Sequence, residues 1–163
     1  RALLPRGLTM ERRPAFLLAP GPGGDLSVEG PAGKRRLDIP DSKGAGAAVE
    51  IAYPAEWEDV PRNNIVWSVP AEDGSFDIAT FTVISGVQQK EINYDLMRNL
   101  SNEIPQPARA FLRGHYLLRS RLYMRAAHQF AQLVERFPER TYPREMIDNI
   151  GEALGVDPAL LLR

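Results

Sequence analysis

Two histidines, His115 and His128, are the only imidazoles in a chain of 163 residues that contains no cysteine. A zinc site takes three or four donors, and here the nitrogen and sulfur donors run out. Each histidine therefore reads as a surface or interface residue on a helix. The lack of cysteine also removes disulfides and thiol nucleophiles. Ser85-Gly86 lacks the preceding glycine of a nucleophile elbow. Gly30-Pro31-Ala32-Gly33-Lys34 runs into Arg35 where a P-loop needs Ser or Thr to reach magnesium, and its first glycine stands too close. Glu56, Glu58 and Asp59 beside Trp57 have the composition for acid and base work, but a solvated acidic loop after a strand is the commoner explanation. These residues imply no reaction, no metal and no cofactor, and a non-catalytic role is the expectation.

Charge is more informative. The formal net charge is -1, yet residues 15–103 hold seven Lys or Arg against fourteen Asp or Glu, whereas 104–144 hold eight arginines against Glu135 and Glu139. Such asymmetry points either to an anionic partner or to docking of one half on the other. For an anionic surface or a nucleic acid, the phosphate contacts would come from Arg109, Arg113, Arg119, Arg121 and Arg125.

The element that positions most of these side chains runs from Pro107 to Pro138. Phe111, Leu117, Leu118, Leu122, Tyr123, Ala127, Phe130, Val134 and Phe137 fall mostly three or four apart, the spacing of one helical face. Two helices packed on each other are the simplest reading, with Gly114 and Ala126 small where backbones approach. Arg121, Arg125, His128, Gln132 and Arg136 take the opposite face of the second helix. Gly114, Tyr123, Ala126, Phe130 and Pro138 sit at the mutual offsets of the small and aromatic positions of a tetratricopeptide repeat, and residues 107–140 resemble one such helix-turn-helix unit. The departures are Ala110 and Arg113, where the family carries large apolar residues. The resemblance implies a groove or stacking face for another protein. A single repeat cannot bury its own apolar face, so a further element or a partner must cover it. Contact residues for a protein partner, or for a second copy in a homo-oligomer, would be Tyr116, Arg119, Tyr123 and His128, because Tyr and Arg favour interface hot spots.

Upstream the period changes to that of strands. Residues 1–14 mix Leu3, Leu4 and Leu8 with basic residues and show no period, so a flexible lead is expected. Ala15–Ala19 reads as a short strand closed by Pro20-Gly21-Pro22, and Leu26, Val28, Leu37 and Ile39 mark further short strands. Val49, Ile51 and Tyr53 alternate with Glu50 and Ala52 before Pro54 ends the run. Ile65–Val69 and Phe76–Ile84 follow, joined by Ala71-Glu72-Asp73-Gly74-Ser75, where Gly74 can take a positive φ. An antiparallel meander over residues 48–85 is predicted, with Trp57 and Trp67 as its anchors. Val49 to Trp57, VEIAYPAEW, resembles the opening of a PsbP-like domain, which implies an antiparallel sheet with helices on its faces and favours the cell envelope. The likeness ends after Gly86: residues 115–136 contain no Gly, Pro, Asn or Asp to turn a hairpin, and a long helix suits them better than further strands.

Ile92, Leu96 and Leu100 predict a helix over 88–104, stopped by Pro105 and Pro107. Another is expected from Pro143 to Leu154 with Gly155 as its C′ residue, then an Asp157 cap and Pro158. The tail IGEALGVDPALLLR resembles the last helices of Cro/C1-type regulators, but no recognition helix precedes it at the right distance. No stretch approaches the roughly 18–20 apolar residues of a membrane-spanning helix. The chain starts at Arg1 without an initiator methionine, so an upstream part is expected to have been removed or left out. The fold class expected is α+β, an N-terminal antiparallel sheet followed by a helical segment with a tetratricopeptide-like pair. The expected division is a lead over 1–14, a β-rich domain ending in a helix over 15–103, and helices over 104–163.

Overall fold

A computed structural model describes residues 2–11, 13–30, 33–43, 47–57 and 64–162. The protein is α+β and splits into two compact units, Arg1–Ile84 and Ser85–Arg163. The first is built of strands and the second of helices. The division falls at 84/85 rather than at 103/104, so the helix expected to end the β-rich domain groups with the helical unit. The start of that helix is fixed locally: the Ser85 side chain accepts from Gln88 N while the Gln88 side chain accepts from Ser85 N, a capping box.

In the first unit, β1 (Ala2–Leu4), β3 (Phe16–Leu18) and β6 (Val49–Ile51) form a three-stranded sheet in the order β1-β3-β6. A five-stranded sheet has the order β2-β8-β7-β4-β5, from β2 (Gly7–Thr9), β4 (Gly24–Gly30), β5 (Gly33–Ile39), β7 (Asn64–Pro70) and β8 (Phe76–Val83). All pairs are antiparallel except β2 with β8. The alternation read from the sequence selects the inner face: Leu26 and Val28, Ile65, Trp67 and Val69, Ala79, Phe81 and Val83 are all buried. Phe16 lies at the centre, its ring centroid 5.2 Å from Trp67, 5.8 Å from Tyr53 and 6.4 Å from Phe81. Trp57 closes the cluster edge-on to Tyr53 at 5.5 Å. Burial raises the pKa of the Tyr53 phenol. The β7–β8 hairpin turns at Ala71–Ser75, with Gly74 at φ +82°, a conformation that costs a side chain but not glycine.

Two expectations are corrected in this unit. Residues 2–9 are not a flexible lead but the strands β1 and β2, with Ala2, Leu3 and Leu4 buried. They are tied down by polar bonds that no period announces: Arg6 donates to Leu3 O and Ala2 O, and Trp67 Nε1 donates to Pro5 O at 2.9 Å in the core. The meander over 48–85 also divides. β7 and β8 pair as expected, whereas β6 lies in the other sheet, where Val49, Glu50 and Ile51 pair with Leu18, Leu17 and Phe16 of β3.

The second unit contains α1 (Gly86–Asn99), α2 (Gln106–Arg119), α3 (Tyr123–Arg136) and α4 (Tyr142–Leu154), then a 3₁₀ helix, Pro158–Leu162. α2 begins after Pro105 with Pro107 in its first turn. It ends without glycine, proline, asparagine or aspartate. Arg121 takes the left-handed conformation at φ +58°, Leu122 N donates to Leu117 O and Arg121 N to Leu118 O, both at 2.9 Å. This is the Schellman pair of bonds, sealed by the apolar contact position, since Leu117 and Leu122 are both buried. α3 then packs its Ala126, Ala127, Phe130, Leu133 and Val134 face inward. Gly114 of α2 lies against the ring of Phe130: a Cβ there would stand 2.7 Å from its Cζ. α4 packs along the same α3, burying Ile147, Ile150 and Leu154, and Gly155 at φ +67° ends it.

Candidate docking face of the helical unit

α2 and α4 both pack on α3, and a cluster of rings bridges them. Phe111 and His115, one turn apart on α2, have centroids 4.6 Å apart. Tyr142, the first residue of α4, stands 5.0 Å from Phe111 and 5.8 Å from His115. Phe130 of α3 lies beneath, edge-on to Phe111 at 6.3 Å and to His115 at 5.5 Å. The Tyr142 hydroxyl and His115 Nε2 are 3.1 Å apart, and the imidazole tautomer decides which one donates. Phe130 is fully buried, Phe111 and His115 are half-buried, and Tyr142 is 40% exposed. The cluster is therefore a shelf with a covered underside and an open upper surface.

Helix geometry extends this shelf. At about 100° per residue, Ala108, Phe111, Leu112, His115 and Arg119 fall within a sector of roughly 100° on α2. Ala108, Leu112 and Arg119 are exposed, Leu112 at 42%. An apolar stripe thus leads from Ala108 to an arginine at the end of the helix. Beyond it come Arg121 in the turn and Arg125 in the first turn of α3, both exposed. The side chains of Arg113, Arg119, Arg121 and Arg125 make no hydrogen bond or ion pair with any described residue of this unit.

The expected partner-binding residues are not brought onto one face. Tyr116 is half-buried and donates to Asp95 Oδ2 of α1 at 2.8 Å, and that bond raises its pKa above the usual tyrosine value. Its hydroxyl is engaged within the unit. Arg119 is free and on the stripe. Tyr123 opens α3 and is half-buried. His128 is exposed, 3.0 Å from Gln132 Nε2, in a polar row with Arg125 and Arg136. About 140° of helix separates it from Tyr123. The five arginines also divide. Arg109 donates to Asn102 Oδ1 at 2.8 Å and shares a side of α2 with Arg113, about 80° and 120° respectively from Arg119 around the axis. Arg136 of the polar row is engaged with Gln106.

Phe111, Leu112 and Tyr142 are the residues sequence reasoning did not assign to a site. Phe111 counted as core, and the i, i+4 pair of Phe111 with His115 was the available signal. Tyr142 joins them only through the packing of α4 on α3, which no local spacing encodes. Glu58 and Asp59 of the acidic cluster lie outside the described residues, as do Pro31 and Ala32 of the glycine-rich stretch. Among the described residues no group of three His, Cys, Asp or Glu could hold a metal, and no helix is long and apolar enough to cross a membrane. What the face offers chemically is aromatic stacking, an imidazole that can donate or accept, and unpaired guanidinium groups that bind carboxylate or phosphate. In comparisons with known proteins, no family model matches the chain, and no curated protein matches it.

Proposed function

We propose that this chain is a non-catalytic docking module whose helical unit receives a segment of a protein partner on the α2 face. The observation that carries this reading is the half-open ring cluster of Phe111, His115 and Tyr142, continued by Leu112 and ending at Arg119. Aromatic anchors at the centre with arginine at the margin are the composition of interface hot spots. The offsets shared with a tetratricopeptide repeat support the same reading, and the close seat of Gly114 on Phe130 fits the small-residue requirement of such a helix pair. The segment it would accept carries a large apolar anchor for the shelf and carboxylates for the arginines.

A second reading, an anionic-surface or nucleic-acid binder through Arg109, Arg113, Arg119, Arg121 and Arg125, is supported by the exposed and unpaired guanidinium groups of the last four. It is weakened by their spread over two sides of α2, since a polyanion follows a continuous stripe. Selection of displayed random peptides on the purified chain tests both readings. The docking reading expects enrichment of acidic peptides with an aromatic or large aliphatic anchor, bound at least about tenfold more weakly by Leu112→Glu, a loss of about 1.4 kcal/mol. No enrichment, or equal binding by that variant, overturns it. Short duplex DNA at low and moderate salt is the companion measurement: steeply salt-dependent binding that Arg119→Glu/Arg125→Glu abolishes would transfer the function to the arginines.

A further inference from the structure

We infer that the segment received on the α2 face is the β7–β8 hairpin of a second copy of this chain. The inference rests on the docking reading above and names its partner. The hairpin carries the complement of the face. Its turn exposes Glu72 and Asp73, and Asp73 Oδ1 accepts from Ser75 N at 3.0 Å and Ser75 Oγ at 2.6 Å, bonds that favour the charged carboxylate. Directly after the turn Phe76 is 62% exposed and Ile78 61% exposed, on the outer surface of the sheet beside Val66. Phe76, Ile78 and Val66 share one exposed face of the hairpin, and grouped apolar side chains in water are a feature of interaction sites. The receiving face has the opposite order: a shelf of Phe111, His115 and Tyr142, then the exposed Arg119 at the end of α2, with Arg121 in the turn that follows. Laid on the shelf, Phe76 finds aromatic partners in tilted or edge-on geometry, while Glu72 and Asp73 reach guanidinium groups in charge-assisted bonds.

Donor and acceptor surfaces differ, so one contact joins copies head to tail, whereas a reciprocal pair of contacts makes a two-fold dimer. Each copy keeps one free hairpin and one free face, and two copies close the contact reciprocally or a longer chain of copies leaves it open. A hairpin tip on a helix face is smaller than the roughly 1,200–2,000 Å² of a standard interface. The association is therefore weak, of micromolar order, and salt-sensitive.

Sedimentation of the full chain over a range of micromolar concentrations tests this, with a hairpin variant, Glu72→Ser/Phe76→Ser, and a face variant, Leu112→Ser/Arg119→Ser. All four positions are exposed, and unchanged far-ultraviolet ellipticity checks that both variants fold. The wild type should rise above its 18.2 kDa monomer mass as concentration increases and fall back with added salt. Each variant alone should associate at least about tenfold more weakly, and an equimolar mixture of the two should form a one-to-one pair, because one retains the face and the other the hairpin. A wild type that stays monomeric, variants that associate like wild type, or a mixture that does not pair would each overturn the inference. The docking reading fails separately: it survives a monomeric wild type if acidic peptides are still selected on Leu112, and falls if they are not.

Discussion

Replacing Gly114 by alanine sets two effects of opposite sign against each other. Within a helix the exchange is favourable by about 1 kcal/mol, because alanine gives up less backbone freedom. Against it stands the ring of Phe130, since the new Cβ would lie 2.7, 2.9 and 3.1 Å from three ring carbons, where ordinary carbon contacts are about 3.5–4.0 Å. The ring is fully buried and flanked by Phe111 and His115, so it cannot turn aside without disturbing the shelf. Overpacking of this kind costs about 1–3 kcal/mol, and the expected net result is a loss of about 1 kcal/mol. For a unit of this size that lowers Tm by about 4–8 °C. Unfolding followed by ellipticity at 222 nm should be compared for wild type, Gly114→Ala, Phe130→Leu and the double variant. Phe130→Leu removes the ring atoms that alanine would meet, leaving alanine's helix preference to act alone. In that background Gly114→Ala should become stabilising by up to about 1 kcal/mol. The reasoning is refuted if alanine stabilises the wild type, or if it destabilises both backgrounds equally.

Arg121→Gly should stabilise the helical unit, because the left-handed conformation costs a side chain about 1–2 kcal/mol and glycine's greater unfolded freedom offsets only about 0.5–1 kcal/mol of that. A lower urea midpoint than wild type would contradict it. Asp95 raises the Tyr116 pKa, so the neutral phenol is favoured on folding. This stability is fully present below the unfolded value near pH 10 and is lost as pH rises through the folded value. Tyr116→Phe should cost about 0.5–1 kcal/mol at neutral pH and flatten the alkaline decline, and superimposable pH profiles would exclude the effect. Trp67→Phe removes the buried donor to Pro5 O and leaves a void, for an expected loss of about 2–3 kcal/mol by urea denaturation; a change under 1 kcal/mol would mean that the bond does not hold the first strands.

The strands and helices with sustained periods were legible. Alternation placed Ile65, Trp67 and Val69 inward, and Ile147, Ile150 and Leu154 marked the buried face of α4. What was not legible shares one physical cause, dependence on partners distant in the chain. β1 and β2 are three residues each, too short to show a period, and their place is set by Arg6, Trp67 and β8. The turn between α2 and α3 carries no residue that prefers a left-handed backbone, so only the buried Leu117 and Leu122 and the bonds around them force Arg121 into it. The same holds at the candidate site. Arg119 was legible by its type, whereas Tyr116 was assigned to a partner and is bonded to Asp95, and Tyr142 reaches the shelf through α4. Residue type announced interface chemistry, but the third helix decided which side chains meet.

The parallel pairing of β2 with β8 also orders events in time. Leu8 pairs with Thr82, so β2 waits for a neighbour made some 74 residues later. The loop that must close is long, and such pairings form late. α2 and α3, joined by a three-residue turn, have only local contacts to make and can assemble quickly once synthesised. In the interval the outer edge of β8 offers unpaired backbone donors and acceptors to any strand that arrives, including one from a neighbouring nascent chain. β2 thus acts as the closing edge of the five-stranded sheet, and the chain is most open to strand exchange in the moments before it docks.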